Sequence, residues 1–357
     1  MNLFSNIRNL LVALLAASAL TACNNSFIFE DEGDCDPKYR VKLRYDWNMK
    51  YADAFAAEVD HVTVNVIDAD GRIVYTHQES GEALKANNYE IVLDGALKPG
   101  KYRLHAWCGS GAEPGNTSFM VHPAETLEDL CCTLLPDPDA ARGRAEITGA
   151  DGQHIQRPLG NLYHGLTEDL SFPEEEGVHS YTIPLVKNTN SVKVMLQHLS
   201  DVPLDGEDFE FIITSKNARM AHDNSIIDSD AVTYHAWDVR TYSGTIAPDP
   251  DNGLQGGTHD AVVAEYTIGR LMADEDVRLE AYRKKPDGKR GDLAFSVDMV
   301  RLALMLKSAN ISQMDNQEFL DRQDEYNFIF FLDSNYRWTR MELNILSWKL
   351  VQQNTDI

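Results

Sequence analysis

The chain has 357 residues, 43% of them hydrophobic, with 32 Lys and Arg against 56 Asp and Glu for a formal net charge of −24. That length favours two domains, and the apolar share is enough for real cores. The charge argues against nucleic acid and against anionic lipid surfaces as partners, because phosphate recognition needs clustered Lys and Arg.

Residues 1–22 read as a signal peptide: Arg8 supplies a positive start, Leu10 to Ala19 is an apolar run, and small residues follow. The run is too short for a bilayer, which takes about 20 apolar residues. Leu20-Thr21-Ala22-Cys23 resembles a bacterial lipobox, which implies cleavage before Cys23 and acylation of Cys23, palmitate included. One acyl chain holds marginally and several hold almost irreversibly. Residues 23–38 then form a short acidic tether, with no Lys or Arg between Asn24 and Pro37.

Tyr39 to Tyr45 alternates with period two, aromatic or aliphatic side chains on one face and basic ones on the other, which predicts a strand. Residues 51–58 suggest one or two helical turns, and Asp60 to Ile67 another strand. Asp68-Ala69-Asp70-Gly71 is a hairpin turn, since Gly71 tolerates positive φ. Arg72–Tyr75, 89–93 and Lys101–Cys108 follow as short strands between turn residues, the pattern of an all-β sandwich. Residues 109–179 are less regular, and the acidic run Pro173 to Gly177 suggests a boundary between domains of 39–172 and 178–357.

The pattern then restarts. Residues 179–186, 191–199 and 209–214 read as strands, 215–260 as mostly loop, and 262–268 and 277–282 as strands again. Asp298 to Lys307 has helical spacing and Gln317 to Arg322 forms a further helical turn. Residues 326–332, 338–345 and 346–351 close the chain as strands.

Several short motifs occur in a fixed order: Tyr45-Asp46-Trp47-Asn48, Val64 to Gly71, Leu97 to Tyr102, Ala106 to Gly109, Leu162-Tyr163-His164-Gly165, Lys187 to Val194, Phe319 to Tyr326, and Leu343 to Val351. Behind a lipobox, this series resembles the FimB/Mfa2-type fimbrial anchor proteins of Bacteroidetes, over nearly the whole mature chain. The resemblance implies two tandem transthyretin-like Greek-key β-sandwiches with a few short helices. It also implies a surface-exposed outer-membrane lipoprotein that holds the base of a fimbrium and has a fimbrial stalk subunit as partner. Stalk subunits of the same superfamily lose their first strand to an Arg-directed protease, whereas anchors keep the lipid. The tether without Arg or Lys fits an anchor better than a stalk or tip subunit. Arg142 and Arg144 lie in a loop where cutting would split the body.

Strand addition would satisfy unpaired backbone groups at a sheet edge, and Trp338 to Val351 is the candidate segment. With Cys23 lipidated, Cys35, Cys108, Cys131 and Cys132 remain, and four cysteines allow three pairings. Adjacent Cys131 and Cys132 are poor partners for each other, so bridges from Cys35 and Cys108 to that pair are the expectation.

No hydrolase, zincin, P-loop or dinucleotide motif occurs, so no enzyme, cofactor or metal site is expected. Asp249 to Gly253 only faintly resembles a calcium loop. His105 and Trp107 share a strand face and suggest packing more than a ligand platform. A glycan-binding surface lipoprotein is the rival reading, with Trp47, Trp107, Trp237, Trp338 and Trp348 as candidate stacking residues.

Overall fold

The computed structural model describes residues 38–93, 97–109, 118–137, 152–198, 202–227, 231–246, 257–311, 313–345 and 348–353. The first half comprises β1 (Lys38–Arg44), α1 (Phe55–Glu58), β2 (His61–Ile67), β3 (Ile73–Ser80), α2 (Gly81–Ala86), β4 (Glu90–Leu93), β5 (Gly100–Gly109), β6 (Phe119–Val121), β7 (Cys131–Leu134), β8 (Gln153–Ile155), β9 (Leu162–Phe172), β10 (Val178–Pro184) and β11 (Val186–Lys187). The second comprises β12 (Thr189–His198), β13 (Phe209–Ser215), β14 (Arg219–Ala221), β15 (Val232–His235), β16 (Asp238–Ile246), β17 (Gly257–Gly269), β18 (Arg278–Lys284), β19 (Arg290–Asp298), α3 (Met299–Asn310), α4 (Asn316–Arg322), β20 (Glu325–Leu332), β21 (Trp338–Ile345) and β22 (Trp348–Gln353). The fold is all-β with a few short helices, as the alternation of apolar residues predicts.

The first sandwich packs a three-stranded sheet, β10-β1-β4, on a five-stranded one, β11-β9-β5-β2-β3. Its core takes alternate residues of each strand, among them Tyr39, Val41 and Leu43 from β1 and Val62, Val64 and Val66 from β2. The expected turn between β2 and β3 is present: Asp68 Oδ1 accepts from the backbone N–H groups of Asp70 and Arg72, and Gly71 adopts φ +86°. The second sandwich packs a six-stranded sheet, β16-β17-β12-β20-β21-β22, on a five-stranded one, β19-β18-β13-β15-β8. α3 packs against β22, β19 and α4, and α4 also against β11. Each helix is capped by an aspartate, Asp298 onto the N–H of Arg301 and Asp315 onto the N–H of Glu318.

Two sequence expectations are corrected. The boundary does not fall at residues 172–178. The acidic run connects β9 to β10, which lies parallel to β1 in the first sandwich, and the Lys38 N–H bonds the Gly177 carbonyl at 2.8 Å. The run is therefore a turn between the two sheets of one domain. The chain passes from the first sandwich to the second at Asn188, between β11 and β12, as extended buried strand rather than polar linker. Going the other way, β8 joins the second sandwich and β7 pairs with β14 in a small sheet, β14-β7-β6. The stretch 215–260 also holds β14, β15, β16 and the start of β17, beyond the loop expected there. β16 is an edge strand, where polar side chains are tolerated because one side meets water.

β9 escaped the sequence reading altogether. Its Gly165 shows why that strand can lie so close to its neighbours: an added Cβ would fall 2.4 Å from Ile183 Cγ2 and 2.7 Å from the Pro184 carbonyl oxygen.

Candidate assembly site

Motifs that are scattered along the sequence meet at the junction of the two sandwiches. Phe319 to Tyr326 forms the corner from α4 to β20 and supplies Asp321, Arg322 and Asp324. Arg270, just after β17, grips Asp321 with two bonds, Nε to Oδ1 at 2.9 Å and Nη2 to Oδ2 at 2.7 Å, and both side chains are 8% exposed. Its remaining Nη1 donates to the Asn224 carbonyl. Asn224 exchanges paired amide bonds with Asn188, at 2.6 and 3.1 Å, where the chain crosses between sandwiches.

Arg322 reaches into the first half. Its guanidinium lies 3.9 Å from the Trp47 ring centroid and 4.7 Å from that of Tyr51, and it donates to the Asp46 carbonyl. Lys187 ties both halves together, with its Nζ 3.1 Å from Glu58 of α1 and 2.7 Å from Asp324. Burial works to lower this ammonium's pKa, and the two carboxylates outweigh it and hold the pKa above the ordinary range. Tyr163, from the Leu162 to Gly165 motif, donates to Glu58 at 2.8 Å. The motifs thus build a polar lock between domains. Its charged side chains are mutually paired, as buried charge requires.

Beside the lock, His105, Trp107 and His164 pack edge to face on the outer surface of the five-stranded sheet, with centroids 4.8 to 5.7 Å apart. The small sheet covers them: Trp107 clusters with Cys132, Leu162 and Met220. Burial, then the neighbouring His164 and His222, hold His105 far below its usual pKa. His164 is pushed down to about 4, mainly by burial. His105 and Trp107 are thus packing residues, fully buried and closed to any ligand.

Cys108, Cys131 and Cys132 are free thiols, which corrects the expected bridge between Cys108 and the pair. Successive strand residues point to opposite faces. Cys108 faces the first core while its neighbour Trp107 faces Cys132 on the other side of the sheet. Burial pushes the Cys132 thiol up to about 12. Cys23, Cys35, Arg142, Arg144 and Asp249 to Gly253 lie outside the described residues. Among the described residues no cluster of three or more His, Cys, Asp or Glu is placed to hold a metal.

The predicted segment Trp338 to Val351 forms β21 and β22. β22 is the last strand of the six-stranded sheet; among the described residues its only strand partner is β21, and α3 packs against it. Met341, Leu343 and Ile345 face the core, and Leu350 packs against it. On the outer face Glu342 is clamped by Arg340 at 2.5 Å and Lys349 at 2.6 Å, while Val351 stays exposed. Among the described residues β22 is therefore an anchored strand with no strand partner on its second edge. Trp237 is half-buried and borders two clefts of about 390 and 250 Å³. One is lined by Glu207, Glu210 and Lys284, the other by Lys193, Glu265 and Glu325.

A crystal structure of a candidate adhesin from Bacteroides thetaiotaomicron is 31% identical to this chain, covers 91% of it and 100% of its own length, and superposes with a TM-score of 0.72. A second structure from the same organism, a candidate polysaccharide-binding protein, is 26% identical over 90% of this chain and 99% of its own, with a TM-score of 0.68. The fimbrial anchor protein Mfa2 from Porphyromonas gingivalis shares the fold at 16% identity, with a TM-score of 0.58 over 88% of this chain and 99% of its own. A search of curated proteins found no match. The family model for the fimbrillin-A associated anchor proteins Mfa1 and Mfa2 matches residues 31–354, so the chain belongs to the Mfa2 family.

Proposed function

We propose that this chain is a non-enzymatic base subunit of a fimbrium. It is held in the outer membrane by acyl chains on Cys23 and carries a stalk subunit through strand addition at β22. The observation that carries this reading is the load path. The tether leads to the first sandwich at β1, whose two edges pair with β10 and β4 and whose apolar face is buried in the core. The polar lock around Arg270, Lys187 and Arg322 couples that sandwich to the second. The second carries β22, whose outer edge has no strand partner among the described residues and could offer a partner backbone groups.

Two experiments test it. Cys23→Ala is expected to release folded protein from the membrane fraction; retention through an alkaline carbonate wash would refute lipid anchoring. A photo-crosslinking residue at Val351 is expected to capture a fimbrial stalk subunit in the native envelope. A residue at Tyr242, exposed on β16 at the opposite edge of the same sheet, should not. Capture at Tyr242 alone would move the contact to the other edge.

The Trp237 clefts favour one second reading, glycan binding by an aromatic wall with flanking charges. A glycan array comparing the native chain with Trp237→Ala decides it, and binding by neither sinks it.

A further inference from the structure

The four outward side chains of β1 are Lys38, Arg40, Lys42 and Arg44, in a chain whose acids outnumber its Lys and Arg by 56 to 32. We propose that this face of the first sandwich lies against the anionic phosphate headgroups of the membrane that holds Cys23, a local exception to the net charge that argues against anionic lipid for the chain as a whole. The inference rests on the lipid anchoring proposed above.

The sheet places these cations on one surface. β1 is the centre of its three strands, so its outer face is a flat stripe flanked on both sides. Six residue steps at about 3.3 Å make it roughly 20 Å long. Across from the cations, β10 contributes Val178, Ser180, Thr182 and Pro184, none of them charged. β4 contributes Val92 and Glu90. Arg40 bonds Glu90 at 3.2 Å, and Arg44 bonds Asp46 at 2.9 Å beyond the strand's end. Lys38 and Lys42 have no ion pair among the described residues. The acidic turn Glu174 to Glu176 lies beyond the Lys38 end and bounds the face there.

Two of the large apolar side chains left in water sit in this stripe, Val178 at 53% and Val92 at 52% exposed. Cations interleaved with exposed apolar groups suit a membrane interface, where headgroup charge and the acyl boundary are both within reach.

The tether decides the occupant. β1 is the first strand after Cys23, and the fifteen peptide steps from Cys23 to Lys38 span at most about 50 Å. A lipid on Cys23 therefore holds this face close to headgroups at high effective concentration. The tether itself carries Glu30, Asp31, Glu32, Asp34 and Asp36, so its folding back over the stripe is the competing outcome.

The test uses the lipidated mature chain in vesicles of phosphatidylcholine alone, and of phosphatidylcholine with phosphatidylglycerol. Exposed lysines are acetylated briefly and read by peptide mass spectrometry. Labelling of Lys38 and Lys42 is expected to fall about fivefold or more in the anionic vesicles, and to recover in high salt. Lys284 and Lys285 of the second sandwich serve as unchanged references. The exposed-side variant Arg40→Gln/Arg44→Gln should bring Lys38 and Lys42 labelling in anionic vesicles back towards the neutral value. Equal, high labelling in both vesicles overturns the proposal while leaving the lipid anchor standing. Equal, low labelling in both overturns it in favour of the tether as occupant. A chain that floats free of both vesicles overturns the lipid anchor and this inference with it.

Discussion

Replacing Arg270 by methionine is the sharpest probe of the domain lock. The substitution keeps most of the aliphatic volume and removes the charge. Asp321 would remain 8% exposed, with Gln317 Nε2 at 2.9 Å as its remaining side-chain donor, and the Asn224 carbonyl would lose the Arg270 donor. Leaving one member of a buried ion pair unpaired costs about 3–5 kcal/mol. For a protein of this size that corresponds to a loss of roughly 10 °C in midpoint. Because Arg270 also donates to the carbonyl of Asn224, whose side chain pairs with Asn188 where the chain crosses between sandwiches, the loss should also loosen the junction and split one cooperative transition into two. Urea and thermal unfolding followed by tryptophan fluorescence and by far-UV circular dichroism would show this as non-coincident curves. Arg270→Met/Asp321→Leu removes both charges and should recover most of the stability, so that the double-mutant cycle gives a coupling of several kcal/mol. A single variant within about 1 kcal/mol of wild type, or a double variant costing the sum of the two singles, would refute the lock.

The buried histidines predict acid sensitivity. Above pH of about 6.5 neither the folded nor the unfolded chain protonates His164, so its contribution is flat. Between there and about 4 the unfolded chain binds a proton that the folded site refuses, and stability falls by roughly 3 kcal/mol from this residue. Both ring nitrogens of His105 lack hydrogen-bond partners, so His105→Phe should stabilise by about 1 kcal/mol and flatten the pH dependence. Unfolding midpoints at pH 7.5, 5.5 and 4.5 check both. Gly165→Ala should cost about 1–3 kcal/mol through overpacking against Ile183 and Pro184, read as a lowered urea midpoint at unchanged slope. Cys108 and Cys132 should resist maleimide in the folded protein and react fully on unfolding without reductant, because burial disfavours their thiolates. Rapid labelling of either in the native state would contradict their placement.

Much of the fold was legible because strand burial writes a local, period-two signal. Tyr39 to Tyr45, Asp60 to Ile67 and Lys101 to Cys108 alternate between a core face and a polar face, and each became a strand. The amphipathic spacing from Asp298 to Lys307 became α3, and the Asp68 to Gly71 turn carried its own hydrogen-bonding chemistry. β9 was hidden because its outer face is itself buried under the small sheet, so His164 and Gly165 break the alternation that an exposed face would show. β16 was hidden by polar residues that an edge strand accepts, and β15 by Thr233 and His235, polar side chains buried within its sheet.

The sequence by itself determined the class of structure and the set of motifs, since these depend on neighbours a few residues apart. The tertiary structure alone decided what the motifs are for. Trp47, Lys187, Arg270, Asp321 and Arg322 are up to 275 positions apart and share no local pattern, yet folding brings them into one lock between domains. Buried charges must find partners wherever the chain can supply them, and that pairing is a property of the packed molecule. The same holds for the basic face of β1: the alternation was visible in seven residues, but its flanks, uncharged on β10 and carrying Val92 and Glu90 on β4, come from strands the sequence alone does not place beside it.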